Sequence, residues 1–380
     1  MVIVLFWISI FFCVYTYAIY TLVLLFVRFI SRKNYKIDSA YMPTISMIIS
    51  AHDEEGIILE KIENCKRLNY PKNRLEILIG SDGSTDNTVK LISEDNTENI
   101  KIFDFKERRG KVSILKDLVR QAKGEILIFS DANTIYQPDA PKQLVKHFID
   151  KRIGCVCGRL KLKSPNGCEE GEYESLYWKY ESFIKNIEGE LGVLLGANGG
   201  IYAIRKELFH DIPPDTIVED FVIPMKILEK GRKVIYEKDA LAFEESSKTI
   251  SDERKRKIRI GAGAYQALLL TLPMLNIFKG FSSFAYWSHK VIRWLVPFFM
   301  IAILITNILL ADIPLYKYLL IGQALFYFGA VIGYLMSKVR IHNRLCSLLY
   351  YFVAMNLSLL LGFFRFVSGS QQVTWKRVER

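Results

Sequence analysis

A chain of 380 residues with 51% hydrophobic content can hold one large or two ordinary domains and has ample material for a core. A formal net charge of +11 raises nucleic acid as a partner, but much of the basic surplus flanks apolar runs. Anionic lipid headgroups explain that distribution better, so membrane lipids are expected as partners and nucleic acid is not. The six cysteines, Cys13, Cys65, Cys155, Cys157, Cys168 and Cys346, are scattered, and Cys155-Val156-Cys157 lacks zinc-knuckle spacing. With no metal-ligand pattern among the five histidines, a reduced cytoplasmic domain fits.

Met1 to Val27 carries no charged residue, which at helical rise is enough to cross the hydrocarbon layer. A secretory signal would have a shorter apolar region with basic residues before it, whereas here Arg28, Arg32, Lys33 and Lys36 follow. An uncleaved anchor is therefore predicted, with the next domain on the cytoplasmic side. From Met42 to Phe243 strand-like and helix-like patterns alternate, predicting an α/β fold with a parallel sheet and crossover helices. Short apolar strands are expected at Ile45 to Ser50, Leu75 to Gly80, Ile100 to Phe105 and Glu125 to Ser130.

Three of these strands run into Asp53-Glu54-Glu55, Asp82-Gly83-Ser84-Thr85-Asp86 and Asp131-Ala132-Asn133. A single acidic turn after a strand is usually a helix cap. Three on one edge point to a ligand, because open α/β sheets bind ligands beyond the carboxyl ends of their strands. Further on come Gly196-Ala197-Asn198-Gly199-Gly200, leading into an apolar segment, and Glu219-Asp220, for which an N-cap role before Phe221 is the structural alternative. The basic cluster Glu253 to Arg259 heads an expected interfacial helix. Three more charge-free runs, Trp294 to Ala311, Tyr318 to Ser337 and Leu345 to Phe364, read as spans or membrane-embedded hairpins. The turn from Lys338 to Arg344 is basic and suggests a cytoplasmic connection. A full crossing by the last run would then export the basic tail Trp375 to Arg380, so either that run re-enters the membrane or the tail is external.

Taken in order, these motifs, with Gly110-Lys111 among them, resemble those of the family 2 glycosyltransferases, inverting enzymes built on the GT-A, Rossmann-like, nucleotide-sugar-binding fold. The resemblance implies an anchor at 1–30, a cytoplasmic GT-A catalytic domain at 42–245, interfacial helices at 250–282, a transmembrane region at 288–368 and a basic tail at 369–380. It implies that Ala51 and Glu54 or Glu55 line the nucleoside pocket, a carboxylate accepting from ribose hydroxyls. Asp82 would contact the uracil or ribose, with Ser81 where the family commonly has a first Asp, and Gly83 would admit the close approach of the base. Lys111 would neutralise phosphate or pack over the base, and Gly199 would lie near the donor sugar and acceptor. Asp131 and Asn133 would hold a divalent cation, Mg²⁺ or Mn²⁺, through oxygen ligands. Glu219 would line the substrate site, and Asp220 would be the general base that takes the proton from the acceptor hydroxyl.

Membrane-integrated polymerising relatives carry a Gln-x-x-Arg-Trp motif, in whose place this chain has Arg256-Lys257-Ile258-Arg259-Ile260. Arg259 keeps a candidate diphosphate contact, while the Gln and Trp are absent. The expected activity is transfer of a sugar from a nucleotide-sugar, a UDP-sugar for preference, to a glycan or lipid-linked acceptor for cell-surface polysaccharide or glycoconjugate. A processive exopolysaccharide synthase that also translocates its product is the enzymatic alternative, and a catalytically inactive nucleotide-binding membrane scaffold the non-enzymatic one.

Overall fold

The computed structural model describes residues 1–31, 34–95, 97–163, 172–245, 250–339 and 343–371. Arg32, Lys33, Cys168, Arg340 and the tail from Trp375 to Arg380 lie outside the described residues. The strands are β1 (Ile45–Ala51), β2 (Leu75–Asp82), β3 (Ile100–Phe105), β4 (Ile126–Asp131), β5 (Ile135–Tyr136), β6 (Ile153–Lys163), β7 (Tyr202–Arg205) and β8 (Lys233–Glu245). They form one sheet in the order β3-β2-β1-β4-β7-β6-β8-β5.

The sheet is mixed, which corrects the expectation of a purely parallel one. β3, β2, β1 and β4 are parallel neighbours. β7 runs antiparallel to both β4 and β6, and β5 antiparallel to β8. The physical reason for the reversal lies in the glycine segment before β7. That segment brings the chain back to the carboxyl end of β4, where Tyr202 pairs with Phe129, so β7 must run away from that edge.

Alternation along each strand sends side chains to opposite faces. Ile45, Met47 and Ile49 of β1 join Ile77, Ile79, Ile126 and Ile128 on one face, against Ile58, Ile62 and Cys65 of the helix Ile58–Lys66. Ile48, Leu78 and Phe129 face the other way and share a core with Ile114 and Leu118, Tyr20 and Leu24 of the N-terminal helix, and Tyr265, Tyr286 and Trp294. One face of the sheet is thus continuous with the apolar helices around it.

Among the described residues four helices are long and apolar enough to cross a membrane: Val2–Ile30, Phe281–Leu309, Pro314–Lys338 and Arg344–Val367. The first packs on the next two: Phe12 stacks on Phe299 at 5.2 Å, and the Trp7 indole donates to the Tyr316 hydroxyl at 3.1 Å. The run from Leu345 to Phe364 lies within one unbroken helix of 24 residues, with no reversal inside it. That helix crosses Ile250–Leu270 closely, since a Cβ on Gly362 would fall 2.6 Å from Ala262 N.

A buried ionic knot ties the sheet domain to these helices. Glu188 of the helix Glu172–Glu190 accepts from Tyr20 at 2.7 Å and contacts His289 Nδ1 at 2.6 Å. About two turns earlier Glu181 pairs with Arg293, whose guanidinium lies 5.0 Å over the Tyr17 ring.

Candidate functional site

The register builds the site. Ala51 stands beside Ser81 and Ser50 beside Asp131, so the loops after β1, β2 and β4 emerge side by side at one edge. The first two loops are laced together. Asp53, at φ 52°, accepts from Thr85 N at 2.7 Å, while Glu54 N donates to Thr88 Oγ1 at 2.7 Å. The exposed Glu55 carboxylate accepts from the Asn87 backbone at 3.1 Å and side chain at 2.9 Å, at the start of the helix Thr88–Ser93. Glu54 is half-buried beside it and Ala51 is buried.

Asp82 is also buried, and its carboxylate accepts from Arg109 N at 2.6 Å and Gly110 N at 2.9 Å. It therefore fixes the loop that faces Gly83. That glycine has φ 63°, and a Cβ there would meet Arg108 N at 2.8 Å, so both backbone angle and space exclude a side chain. In this structure the close approach at Gly83 is made by the protein's own backbone.

Gly110, at φ 89°, turns the chain into the helix Lys111–Gln121. The Lys111 ammonium lies 2.6 Å from Asp131 Oδ1 and 2.6 Å from Glu219 Oε1. Burial opposes its charge, but the two carboxylates outweigh that and hold its pKa above the ordinary lysine value. Asn133, two residues beyond Asp131, donates its amide to Glu244 Oε1 of β8 at 3.2 Å.

The helix Glu219–Glu229 begins at Glu219, with Val218 at the N-cap and no side-chain capping bond, so Asp220 is not a cap. Glu219 is buried and Asp220 half-buried at the cleft. The Asp220 carbonyl accepts from Ala197 N at 2.8 Å, and a Cβ at Gly199 would stand 3.0 Å from Asp220 Oδ2. A side chain there would crowd the carboxylate. Burial, with Glu219 and Asp131 acting in the same direction and Lys111 against them, pushes the Asp220 pKa up to about 7. A carboxyl poised near neutrality is suited to proton transfer. Arg259, half-buried on the helix Ile250–Leu270, interacts electrostatically with Glu219, Asp220 and Asp131, and burial lowers its pKa.

Three residues to which the motifs assign no role also shape the cleft. Asn198 donates to Gly158 O and accepts from Lys185, both at 2.7 Å, bracing the glycine segment. Gln266 accepts from Ile217 N and donates to Asp215 O, both at 2.9 Å, holding the loop before Glu219. Lys61 is fully buried beneath the Asp131 turn. Its one signal in the sequence is a charge set in the apolar stripe Ile58, Ile62, Cys65.

Comparison with known proteins bears on this arrangement. Over 252 residues the chain is 27% identical to the poly-beta-1,6-N-acetyl-D-glucosamine synthase of Staphylococcus aureus strain MSSA476, covering 64% of this chain and 60% of that protein. The like-named Staphylococcus epidermidis protein is 24% identical over 75% of this chain and 70% of its own length. The chain thus spans about 60% of the length of the Staphylococcus aureus relative it matches. Among solved structures, a mannosyltransferase from Pyrobaculum calidifontis in complex with GDP-Man and Mn²⁺ superposes with a TM-score of 0.73 at 19% identity, covering 96% of this chain and 99% of that one, and so shares the GT-A fold. Residues 46–212 match glycosyl transferase family 2, and residues 169–364, over half of the chain, match glycosyl transferase family group 2. The chain belongs to the family 2 glycosyltransferases.

Proposed function

We propose that this protein transfers a sugar, with inversion, from a UDP-sugar to a glycan or lipid-linked acceptor in the synthesis of cell-surface polysaccharide. The observation that carries this reading is the cluster at the carboxyl edge of the sheet: Asp220 against Gly199, with Asp131 and Glu219 bridged by Lys111. Asp220 accepts the proton of the attacking hydroxyl, and its near-neutral pKa matches that role. Asp82 and Gly83 shape the nucleoside pocket together with Ala51 and Glu54, while Glu55 fastens its wall. Lys111 and Arg259 supply positive charge for the diphosphate, Lys111 by exchanging its carboxylate partners for phosphate oxygens.

The donor set fits a divalent cation. Asp131 and Asn133 offer oxygen atoms on one turn, Glu244 stands at hydrogen-bond distance from Asn133, and the cation's remaining positions suit diphosphate and water. Mg²⁺ or Mn²⁺, when bound, would stabilise the charge that develops on the departing diphosphate.

The relatives named as poly-beta-1,6-N-acetyl-D-glucosamine synthases support a polysaccharide product and keep a processive form of the same reaction as the alternative. The basic residues after the first span favour a catalytic domain facing the cytoplasm, with the four apolar helices integrated in the membrane. The test is a donor panel supplied to purified enzyme in lipid nanodiscs with Mn²⁺, followed by mass analysis of the product. UDP release coupled to a growing or single-sugar product supports the reading; donor binding without transfer would sink it and favour the scaffold.

A further inference from the structure

The side chain that fixes the floor of the site comes from outside its motifs. Lys61, on the helix Ile58–Lys66, is fully buried. Its ammonium donates to Ser130 Oγ at 2.7 Å and to the Thr134 carbonyl. Those partners bracket the turn that carries Asp131 and Asn133, and the Ser130 hydroxyl passes the contact on to the Asp131 carbonyl at 3.2 Å. The same ammonium sits 4.8 Å over the Tyr136 ring. The Tyr136 hydroxyl donates in turn to Phe129 O and Gly200 O, both at 3.0 Å. Thr134 underpins the same glycine, since a Cβ on Gly200 would strike its Oγ1 at 2.5 Å. Gly199, the next residue, lies against the Asp220 carboxylate.

We infer that Lys61 is a positioning residue: a buried strut that holds the Asp131–Asn133 turn and, through Tyr136 and the glycine segment, sets that turn relative to Asp220. A charge buried at this depth is tolerated only where its hydrogen bonds are met, and here a hydroxyl, a carbonyl and an aromatic face meet them. Ser130 and Thr134 constrain the turn only from its own ends, whereas Lys61 reaches it from a separate helix and fixes both ends at one point. Groups that orient ligand-bearing residues typically change affinity or activity by about 10–100-fold when removed.

The inference rests on the proposed transfer reaction and is tested so that the two can fail separately. In full-length enzyme in nanodiscs, Lys61→Met keeps the stem and removes the ammonium. Amide exchange at residues 131–136 and 197–200 should accelerate about 10-fold or more. Mn²⁺ affinity in the presence of UDP, read from the electron paramagnetic resonance of free Mn²⁺, should weaken by about 10–100-fold. UDP affinity without metal should stay at the wild-type value, and kcat should fall with little change in donor KM. Tyr136→Phe removes only the hydroxyl. It should speed exchange at 197–200 and lower kcat while leaving Mn²⁺ affinity intact, and it decides the matter if Lys61→Met does not fold. Wild-type exchange and wild-type kcat in either variant would overturn the strut, as would an equal loss of metal-free UDP binding in Lys61→Met. Wild-type enzyme that neither binds Mn²⁺ with UDP nor transfers sugar would overturn the reaction instead, while the exchange rates would still report on the strut.

Discussion

Two regions of the molecule concentrate charge, and they treat it differently. At the cleft, Asp131, Glu219 and Asp220 are gathered around Lys111 and Arg259, half open to solvent and with negative charge in excess. At the junction between catalytic sheet and apolar helices, Glu181 and Glu188 are matched by His289, Lys290 and Arg293, and all of these but the half-buried Lys290 are closed off from solvent. An open, partly paired set suits the cation and diphosphate of the proposed reaction; a closed, matched set holds two pieces of structure together. Loss of a charge should therefore damage chemistry in one region and stability in the other.

The largest effect is expected at the cleft. Asp220→Asn keeps size and hydrogen-bonding shape but removes the proton acceptor, so kcat should drop by about 10²–10⁴-fold with UDP affinity preserved. Turnover near the wild-type rate, or loss of UDP binding, would remove Asp220 from its assigned role. The counterpart at the junction is Glu181→Gln, which leaves Arg293 buried without its carboxylate. Breaking such a pair costs about 3–5 kcal/mol, seen as a fall of about 4–6 °C in the unfolding midpoint in nanodiscs for a chain of this length. The rate per folded molecule should persist. An unchanged midpoint with impaired transfer would make the junction part of the site and erase the contrast.

The same contrast explains what was legible in the sequence. The parallel half of the sheet and the cleft residues were readable because each motif is local: an apolar strand, then an acidic turn, placed by strand register. The junction was not, because Glu181 and Arg293 sit in different helices 112 residues apart, and neither residue stands in a pattern that names the other. Reversal at β7 was hidden for a related reason. The direction of a short strand is set by where the preceding loop returns, and the returning Gly196 to Gly200 segment reads equally well as a plain turn. Lys61 is hard to single out from sequence because a lone lysine on a helix is ordinarily solvated, and only the packed sheet shows it pointing inward. The family resemblance points Asp82 toward the nucleotide, whereas in the structure its carboxylate grips backbone N–H groups across the cleft wall.

That grip makes Asp82→Ala an intermediate case. Losing a carboxylate that accepts charge-assisted bonds costs about 1.5–3 kcal/mol, and because the loop it holds forms the nucleoside wall, UDP affinity should weaken by about 10–100-fold. Titration calorimetry with UDP would show it. A variant that binds UDP normally but melts lower would place Asp82 with the junction, as architecture alone.

The smallest effects are in pH dependence, and they test whether the charges of the cleft act on one another. With Asp220 raised to about 7, kcat/KM should climb as pH passes through that value, because only the ionised carboxylate accepts the proton. Lys111 favours that ionised form, so Lys111→Met should move the acid limb to higher pH, whatever it does to the plateau. Stability should run the other way. The folded value lies above the ordinary 3.8, so the unfolded chain loses this proton first, and Asp220's contribution, complete below about pH 4, is lost as pH rises through about 7. Asp220→Asn carries no such titration and should melt higher than wild type at pH 8, with the gap narrowing toward pH 4. A limb that stays in place in Lys111→Met, together with a wild-type melting profile in Asp220→Asn, would mean that the cleft charges are as independent as the junction charges are coupled.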